Sequence, residues 1–238
     1  MSGKKFFNYL LEFLFPRVCF SCGHDIDSDF ANPLCRICYE KLDFIGDFYC
    51  RLCGRKIDSG GICYWCARTP KPNFLFLRSV FMYNDEISSL IIAYKYRNYK
   101  YLYKWFANIM SISFLRYREF FEYNSITYIP LSKGKMRKRG YNQTELIARE
   151  VSMKLKLNFL KDVAIKIKET KNQVELNRDE RMVNLRDAFM VIDKERVRGR
   201  SIIVVDDVAT TMSTLNEFSK ALKESGAKKI SCFTIARE

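Results

Sequence analysis

Residues 201–218 read SIIVVDDVATTMSTLNEF, and this stretch holds the residues most able to do chemistry. Asp206 and Asp207 sit side by side, and Thr210, Thr211, Ser213 and Thr214 follow within eight positions. Ionised carboxylates only accept hydrogen bonds, so their natural partners are a diol or a Mg²⁺ ion. The apolar run 201–205 reads as a buried strand. A loop from Ala209 to Thr214 then enters a helical pattern. Free amides, helix dipole and hydroxyls at such a junction suit a phosphate. In an open parallel sheet, ligands sit beyond the carboxyl ends of the strands. A diol and a phosphate on either side of one loop describe a ribose 5-phosphate. The plainer alternative is that Asp ends a strand or caps a helix. Two acids together before Thr-Thr are less ordinary than that.

Eight of nine cysteines form four pairs spaced CxxC: Cys19 and Cys22, Cys35 and Cys38, Cys50 and Cys53, Cys63 and Cys66. Tetrahedral zinc takes four thiolates, and a CxxC turn delivers two of them, so four pairs predict two Cys₄ sites. Disulfides are the rival reading, but no export signal points to an oxidising compartment. An iron–sulfur cluster also fits the spacing. Gly follows the first and third pairs, as a sharp knuckle requires. The second and fourth pairs are followed by residues able to open short helices. The expected pairing is therefore sequential, one with two and three with four, with a crossed arrangement open. Four thiolates leave no coordination position for a substrate, so the role is structural. Cys232 reads as a small buried hydrophobe. The single histidine, His24, lies in the first cysteine loop and leaves Ser/His or Cys/His catalysis without a base in the body of the protein.

The elements that must position these groups follow from periodicity. Residues 1–18 suggest a short amphipathic helix with Phe6, Leu10, Phe13 and Leu14 on one face. It is too short to span a bilayer; docking on the protein itself is the default role and peripheral membrane contact the alternative. Residues 19–66 form the cysteine module. ARTPKPNF (67–74) is a linker, and residues 67–238 are the larger domain. There a strand over 74–83, helices over 85–97 and 101–114, and a strand at 126–130 precede a basic loop, LSKGKMRKRGYNQ. A helix from Asn142 as cap, strands at 162–169, 188–192, 201–205 and 229–236, and a helix over 214–225 complete the pattern. Strands alternating with helices predict an α/β fold with a mainly parallel sheet flanked by helices.

The formal net charge is +14, which admits phosphorylated ligands or polyanions as partners. The charge is uneven. Residues 19–66 hold five Lys/Arg against seven Asp/Glu, whereas residues 67–150 hold fifteen against six. YKYRNYKYLYKW (94–105) interleaves aromatic and basic residues, as single-stranded nucleic acid binding asks. Lys95, Arg97 and Lys100 are its candidate phosphate contacts. Arg137, Lys138 and Arg139 are a second cationic run. The alternative is that the aromatics face the core while the lysines reach past them to water. Tyr141 either stacks on a base or packs beside the helix.

IIVVDDVATTMST resembles the PRPP-binding motif of type I phosphoribosyltransferases. With four cysteine pairs in front, the chain more closely resembles the ComF family of competence proteins. KMRKRGYNQTELIA (135–148) and QVELNRDERMVNLRDAF (173–189) are similar to further segments of that family. The resemblance implies a type I phosphoribosyltransferase-like domain behind an N-terminal double zinc ribbon. It implies that Asp206 and Asp207 hold ribose hydroxyls of PRPP, with Mg²⁺, and that Ala209, Thr210, Thr211, Ser213 and Thr214 hold its 5′-phosphate. Ser132 and Lys133 would lie near the pyrophosphate. Gln173, Arg178 and Arg181 would form a mobile flap over a ligand, where the residues by themselves read equally as a plain surface segment. Met212 stands where the family has Gly; a Cβ at that turn predicts strain and weaker phosphate binding.

The function so implied is that of a cytoplasmic competence factor in natural transformation, handling incoming single-stranded DNA and linked with a competence helicase. Two alternatives belong to other classes. One is an active Mg²⁺-dependent phosphoribosyltransferase acting on an acceptor, stabilising the departing pyrophosphate electrostatically. The other is a PRPP sensor without turnover. No residue stands out as a general base.

Overall fold

The computed structural model describes residues 17–26, 32–168 and 186–238. The helix expected over 1–18 lies outside the described residues apart from residues 17 and 18, and so do Gln173, Arg178 and Arg181. Two short helices belong to the cysteine module, α1 (Arg36–Glu40) and α2 (Tyr64–Arg68). Then come β1 (Leu77–Met82), α3 (Asp85–Tyr96), α4 (Leu102–Phe114), β2 (Ser125–Tyr128), α5 (Lys133–Arg139) and α6 (Gln143–Leu155). They are followed by β3 (Asn158–Phe159), β4 (Ala164–Lys166), β5 (Phe189–Val191), α7 (Lys194–Val197), β6 (Ser201–Ala209), α8 (Ser213–Glu224) and β7 (Lys229–Arg237).

Five strands form one parallel sheet in the order β1-β7-β6-β2-β3. Its two faces are read directly from strand alternation. Ile203, Val205, Phe233 and Ile235 pack with α3, α4 and α6 on one face. Ile202, Val204, Ile230 and Cys232 pack with α8 on the other. A parallel strand covered on both faces must be apolar at successive positions, which is why SIIVV lacks alternation. Cys232 is fully buried, as its surroundings in ISCFTI suggested.

Three expectations are corrected. Strands β4 and β5 do not extend the central sheet; they pair antiparallel with each other as a separate ribbon. The basic loop 131–143 contains a helix, α5, started by Ser132, whose hydroxyl accepts from the Lys135 N–H, and ended by Gly140 at φ 77°. Most consequentially, β6 does not stop at Val205 but runs through both acids to Ala209, with Asp206 opposite Thr234 and Ala209 opposite Arg237.

Candidate functional site

The extension of β6 decides where the acids point. Successive side chains on a strand leave on opposite faces, so Asp206 and Asp207 diverge. Asp207 is buried on the helical face. Its Oδ1 accepts from Lys95 Nζ at 2.7 Å and from the Val208 N–H at 2.8 Å, and its Oδ2 accepts from Gln143 Nε2 at 2.8 Å. Arg139 donates in turn to the side-chain Oε1 of Gln143. Burial works against the charge on Asp207, but the Lys95 ammonium and these donors outweigh it and hold the carboxyl below its ordinary range. Lys95 is held ionised by the same pairing against its own burial. Asp206 is half-buried on the other face, where its Oδ1 accepts from the Asp207 N–H at 2.9 Å. Burial first, and the neighbouring Asp207 charge second, push its carboxyl up to about 7.

The hydroxyl-rich turn follows at once. Thr210, Thr211, Ser213 and Thr214 are all half-buried, and the Thr211 and Ser213 hydroxyls pair at 2.9 Å. Met212 is the N-cap of the 12-residue α8, and it supplies no side-chain acceptor. Met212 thus leaves the first turn without a side-chain cap of its own, the Ser213 N–H donates to the Thr211 hydroxyl at 3.4 Å, and hydroxyls line the positive end of the helix dipole. Met212 has φ 65° and ψ 4°, the left-handed region, at a cost of roughly 1–2 kcal/mol for a residue with a Cβ. Its side chain packs between Cys50, Cys53 and Cys66 on one side and the α8 core on the other.

The cysteines assemble in sequential pairs. Cys19, Cys22, Cys35 and Cys38 form one cluster and Cys50, Cys53, Cys63 and Cys66 a second, each with its sulfurs within 4.8 Å of one another. Cys22 and Cys35 Sγ lie 3.7 Å apart, as do Cys53 and Cys63. Disulfide sulfurs sit at about 2.05 Å. Four thiolates about 2.3 Å from a central zinc are instead separated by about 3.8 Å, so both sets fit the ion. Each second pair stands at a helix start: Cys35 occupies the N-cap position of α1, which carries Cys38, and Cys63 that of α2, which carries Cys66.

Residues 10–67 match the double zinc ribbon domain family, and residues 142–238 match the phosphoribosyl transferase domain family. Competence protein F of Haemophilus influenzae is 28% identical over 87% of this chain and 91% of its own length. Competence protein ComFC of Bacillus subtilis is 28% identical over 92% of this chain and 95% of its own. The chain is similar to both competence proteins over most of its length. DNA utilization protein YhgH of Escherichia coli is 30% identical over 47% of this chain and 48% of its own length. The similarity to the competence proteins extends over most of this chain and is not confined to either domain match.

Among the other residues singled out from sequence, Ser132 is buried as the α5 cap and Lys133 is exposed beside it. Lys95 is withdrawn from solvent into the Asp207 pair, so it is not a free cation. Arg97, Lys100, Arg137 and Lys138 are exposed, whereas Arg139 is half-buried. Tyr94 belongs to the core, as the packing alternative for that stretch proposed, but Tyr96, Tyr99 and Tyr101 are exposed. Tyr141 packs beside Tyr94 and donates to its carbonyl. Arg139 lies 5.3 Å from the Tyr96 ring and Lys100 5.6 Å from the Tyr141 ring, which joins the two basic stretches into one surface. His24 is exposed. Among the described residues, no helix is long and apolar enough to cross a membrane.

Gln143 and Arg237 were missed as participants, and Lys95 was read as a nucleic-acid contact rather than as the partner of Asp207. Gln143 read only as the residue after a cap. Lys95 lies 112 positions from Asp207, and no local pattern joins them. Arg237 is buried at the end of β7, its guanidinium donating to the carbonyls of Ala209, Thr210 and Cys53. Its register position opposite Ala209 explains the reach, but register is invisible in sequence.

Proposed function

We propose that this chain serves DNA uptake in competence. It would handle single-stranded DNA on its basic, aromatic surface and bind a phosphorylated ribose, PRPP being the candidate, at the β6–α8 turn. The observation that carries this is the end-to-end similarity to competence proteins, ribbon and transferase-like domain together. The start of the 12-residue α8, with the hydroxyls of Thr211 and Ser213 gathered at its positive end, supports the phosphate. Arg97, Lys100, Arg137 and Lys138 beside Tyr96, Tyr99 and Tyr101 support the DNA, cations for phosphates and flat faces for bases. A competence helicase is the proposed protein partner, and the cytoplasm, where incoming strands arrive, the proposed location. Lys95 neutralises Asp207 from within the protein, which favours binding of the sugar phosphate without efficient transfer. A Mg²⁺ ion would accompany PRPP through Asp206, the carboxylate not enclosed in that pair.

Calorimetry with Mg²⁺–PRPP and fluorescence anisotropy with a labelled single strand test both halves. The reading expects saturable PRPP binding that is weakened but still measurable in Asp206→Asn, and DNA affinity that falls steeply with salt as counterions are released. DNA binding that is absent or insensitive to salt would remove the DNA half. Pyrophosphate release with some acceptor base would replace the binding role with a catalytic one.

A further inference from the structure

The second cysteine cluster is joined to the β6–α8 turn by several independent interactions. Arg237, almost fully buried, donates through Nε to the Cys53 carbonyl at 3.2 Å and through Nη1 to the carbonyls of Ala209 at 2.7 Å and Thr210 at 2.5 Å. One guanidinium thus ties a metal-ligand residue to the two residues that open the turn. Met212, held in the left-handed conformation, packs against the cluster of Cys50, Cys53 and Cys66. The knuckle itself is pressed onto the sheet. Gly54 has φ 68°, and a Cβ there would come 2.5 Å from the Leu77 carbonyl oxygen. The Leu77 N–H donates to the Leu52 carbonyl at 2.8 Å. A cleft of about 250 Å³ is lined jointly by Cys53, Cys63, Cys66, Thr210, Thr211 and Met212. The first cluster packs instead with the helical face of the sheet.

We propose that the metal held by the second cluster sets the conformation of the β6–α8 turn, with Arg237 and Met212 as the positioning residues. A closed tetrahedral site fixes the Cys53 carbonyl in space, because a knuckle without a core takes its shape from its ion. That carbonyl orients the Arg237 guanidinium, which holds the Ala209 and Thr210 carbonyls turned inward. With those carbonyls held, the amides that follow face outward at the start of α8. The same fixed cluster receives the Met212 side chain and so holds a backbone conformation that a residue with a Cβ otherwise avoids. Loss of the metal frees the knuckle, deprives the guanidinium of one acceptor and empties the seat of Met212. In this chain the side chain at position 212 makes the metal site and the turn one unit. The consequence for a bound phosphate rests on the proposed sugar-phosphate reading; the consequence for the turn does not.

The test compares full-length wild type with Cys63→Ser in the second cluster, Cys22→Ser in the first, and Arg237→Met. Zinc content is measured, together with amide hydrogen exchange over residues 209–214. Cys63→Ser is expected to lose one zinc and to exchange about tenfold faster across the turn, while Cys22→Ser loses one zinc and leaves the turn unchanged. Arg237→Met should keep both zincs and still loosen the turn. An unchanged turn in Cys63→Ser, or equal loosening in both cysteine variants, overturns the proposal. If Cys63→Ser does not fold, Arg237→Met decides alone, and a turn as protected as wild type with both zincs present refutes it. In parallel, ribose 5-phosphate affinity should drop about tenfold in Cys63→Ser and Arg237→Met. If the turn responds as expected but wild type binds no ribose 5-phosphate, the sugar-phosphate reading falls and the coupling stands. If wild type binds and the turn does not respond, the coupling falls and the reading stands.

Discussion

The two cysteine clusters share one ligand set and one spacing, yet they buttress different parts of the molecule. Around the first, Cys19 and Cys38 join the helical core, Phe20 meets Tyr99 at 4.7 Å between ring centroids, and Asn84 donates to the Lys41 carbonyl at 2.9 Å. Its neighbour Tyr99 belongs to the exposed basic and aromatic surface. Around the second, Arg237 and Met212 lead straight to the β6–α8 turn. Repetition of a metal module therefore does not repeat its task. A closed Cys₄ site does no chemistry of its own, so what it contributes is rigidity, delivered to whatever its knuckle touches. One cluster stiffens the side proposed to meet DNA, and the other the side proposed to meet a sugar phosphate.

The largest effect expected is that of metal removal. A strong chelator should release two zinc ions per chain, one for each cluster. Small zinc modules draw about 10–16 kcal/mol of apparent folding free energy from their ion. Stripped protein should lose the ribbon fold, seen as rapid proteolysis in residues 19–66. A native protein that carries no metal and keeps a protease-resistant ribbon would contradict the assignment.

The two sides meet at Asp207, and Lys95 is the next largest lever. Lys95→Ala leaves a buried carboxylate without its cation, at about 3–5 kcal/mol, whereas Lys100→Ala on the exposed surface should fall within about 0.5 kcal/mol of wild type. Urea unfolding compares them. The double variant Lys95→Met/Asp207→Leu should recover much of the loss, since removing both charges removes the unpaired one. Equal effects at positions 95 and 100 would mean that the ion pair does not form in solution.

Why the sequence disclosed some of this and not the rest has physical causes. The CxxC pairs are legible because two ligands come from one local turn, and the α/β pattern because burial repeats at short range. The loop chemistry after Asp207 is equally local. The direction of the two acids was not legible, because a strand end is set by pairing with β7 rather than by residues 201–209 alone. Strands β4 and β5 looked like sheet strands because apolar alternation records burial and not partner. Arg237 gave no signal at all, since its acceptors are backbone oxygens, three of them brought near by the fold and the fourth on Glu238.

On the helical side, Arg97→Ala/Lys100→Ala/Lys138→Ala should weaken single-strand binding by on the order of tenfold or more. The salt dependence should flatten by about 0.7 in slope for each phosphate that no longer meets a cation. Ribose 5-phosphate affinity should stay at the wild-type value, because none of the three residues belongs to the turn. A parallel loss of both activities would erase the division between the two sides.

On the turn side, pH provides a smaller handle. Asp206 titrates near 7 in the folded protein, above the ordinary carboxylate range. The native state therefore favours its neutral form; that contribution is complete below the unfolded value and disappears as pH rises through about 7. A diol is accepted by the ionised form, so ribose 5-phosphate affinity should climb with pH, by up to about tenfold per unit, and level off above 7. The phosphate of the ligand titrates nearby, so Asp206→Asn is the control. Its profile should keep only the ligand's own dependence, and identical profiles for the two proteins would show that Asp206 is not the titrating group.

The smallest effect, and the most discriminating, belongs to Met212→Gly. Glycine adopts φ 65° freely, so the substitution relieves roughly 1–2 kcal/mol of backbone cost. It also deletes a side chain packed against the second cluster and the α8 core, which costs a similar amount where the site is only half-buried. The two terms oppose each other, and thermal stability should move little in either direction. What should change is the dependence of the turn on the metal. With one of its two links gone, amide exchange over residues 209–214 should respond less to zinc removal than in wild type, while Arg237 still transmits part of the effect. A Met212→Gly turn that responds to the second metal as fully as wild type would assign the coupling to Arg237 alone. The side chain at 212 would then be a tolerated substitution, and the tie between ribbon and turn would run only through the backbone carbonyls.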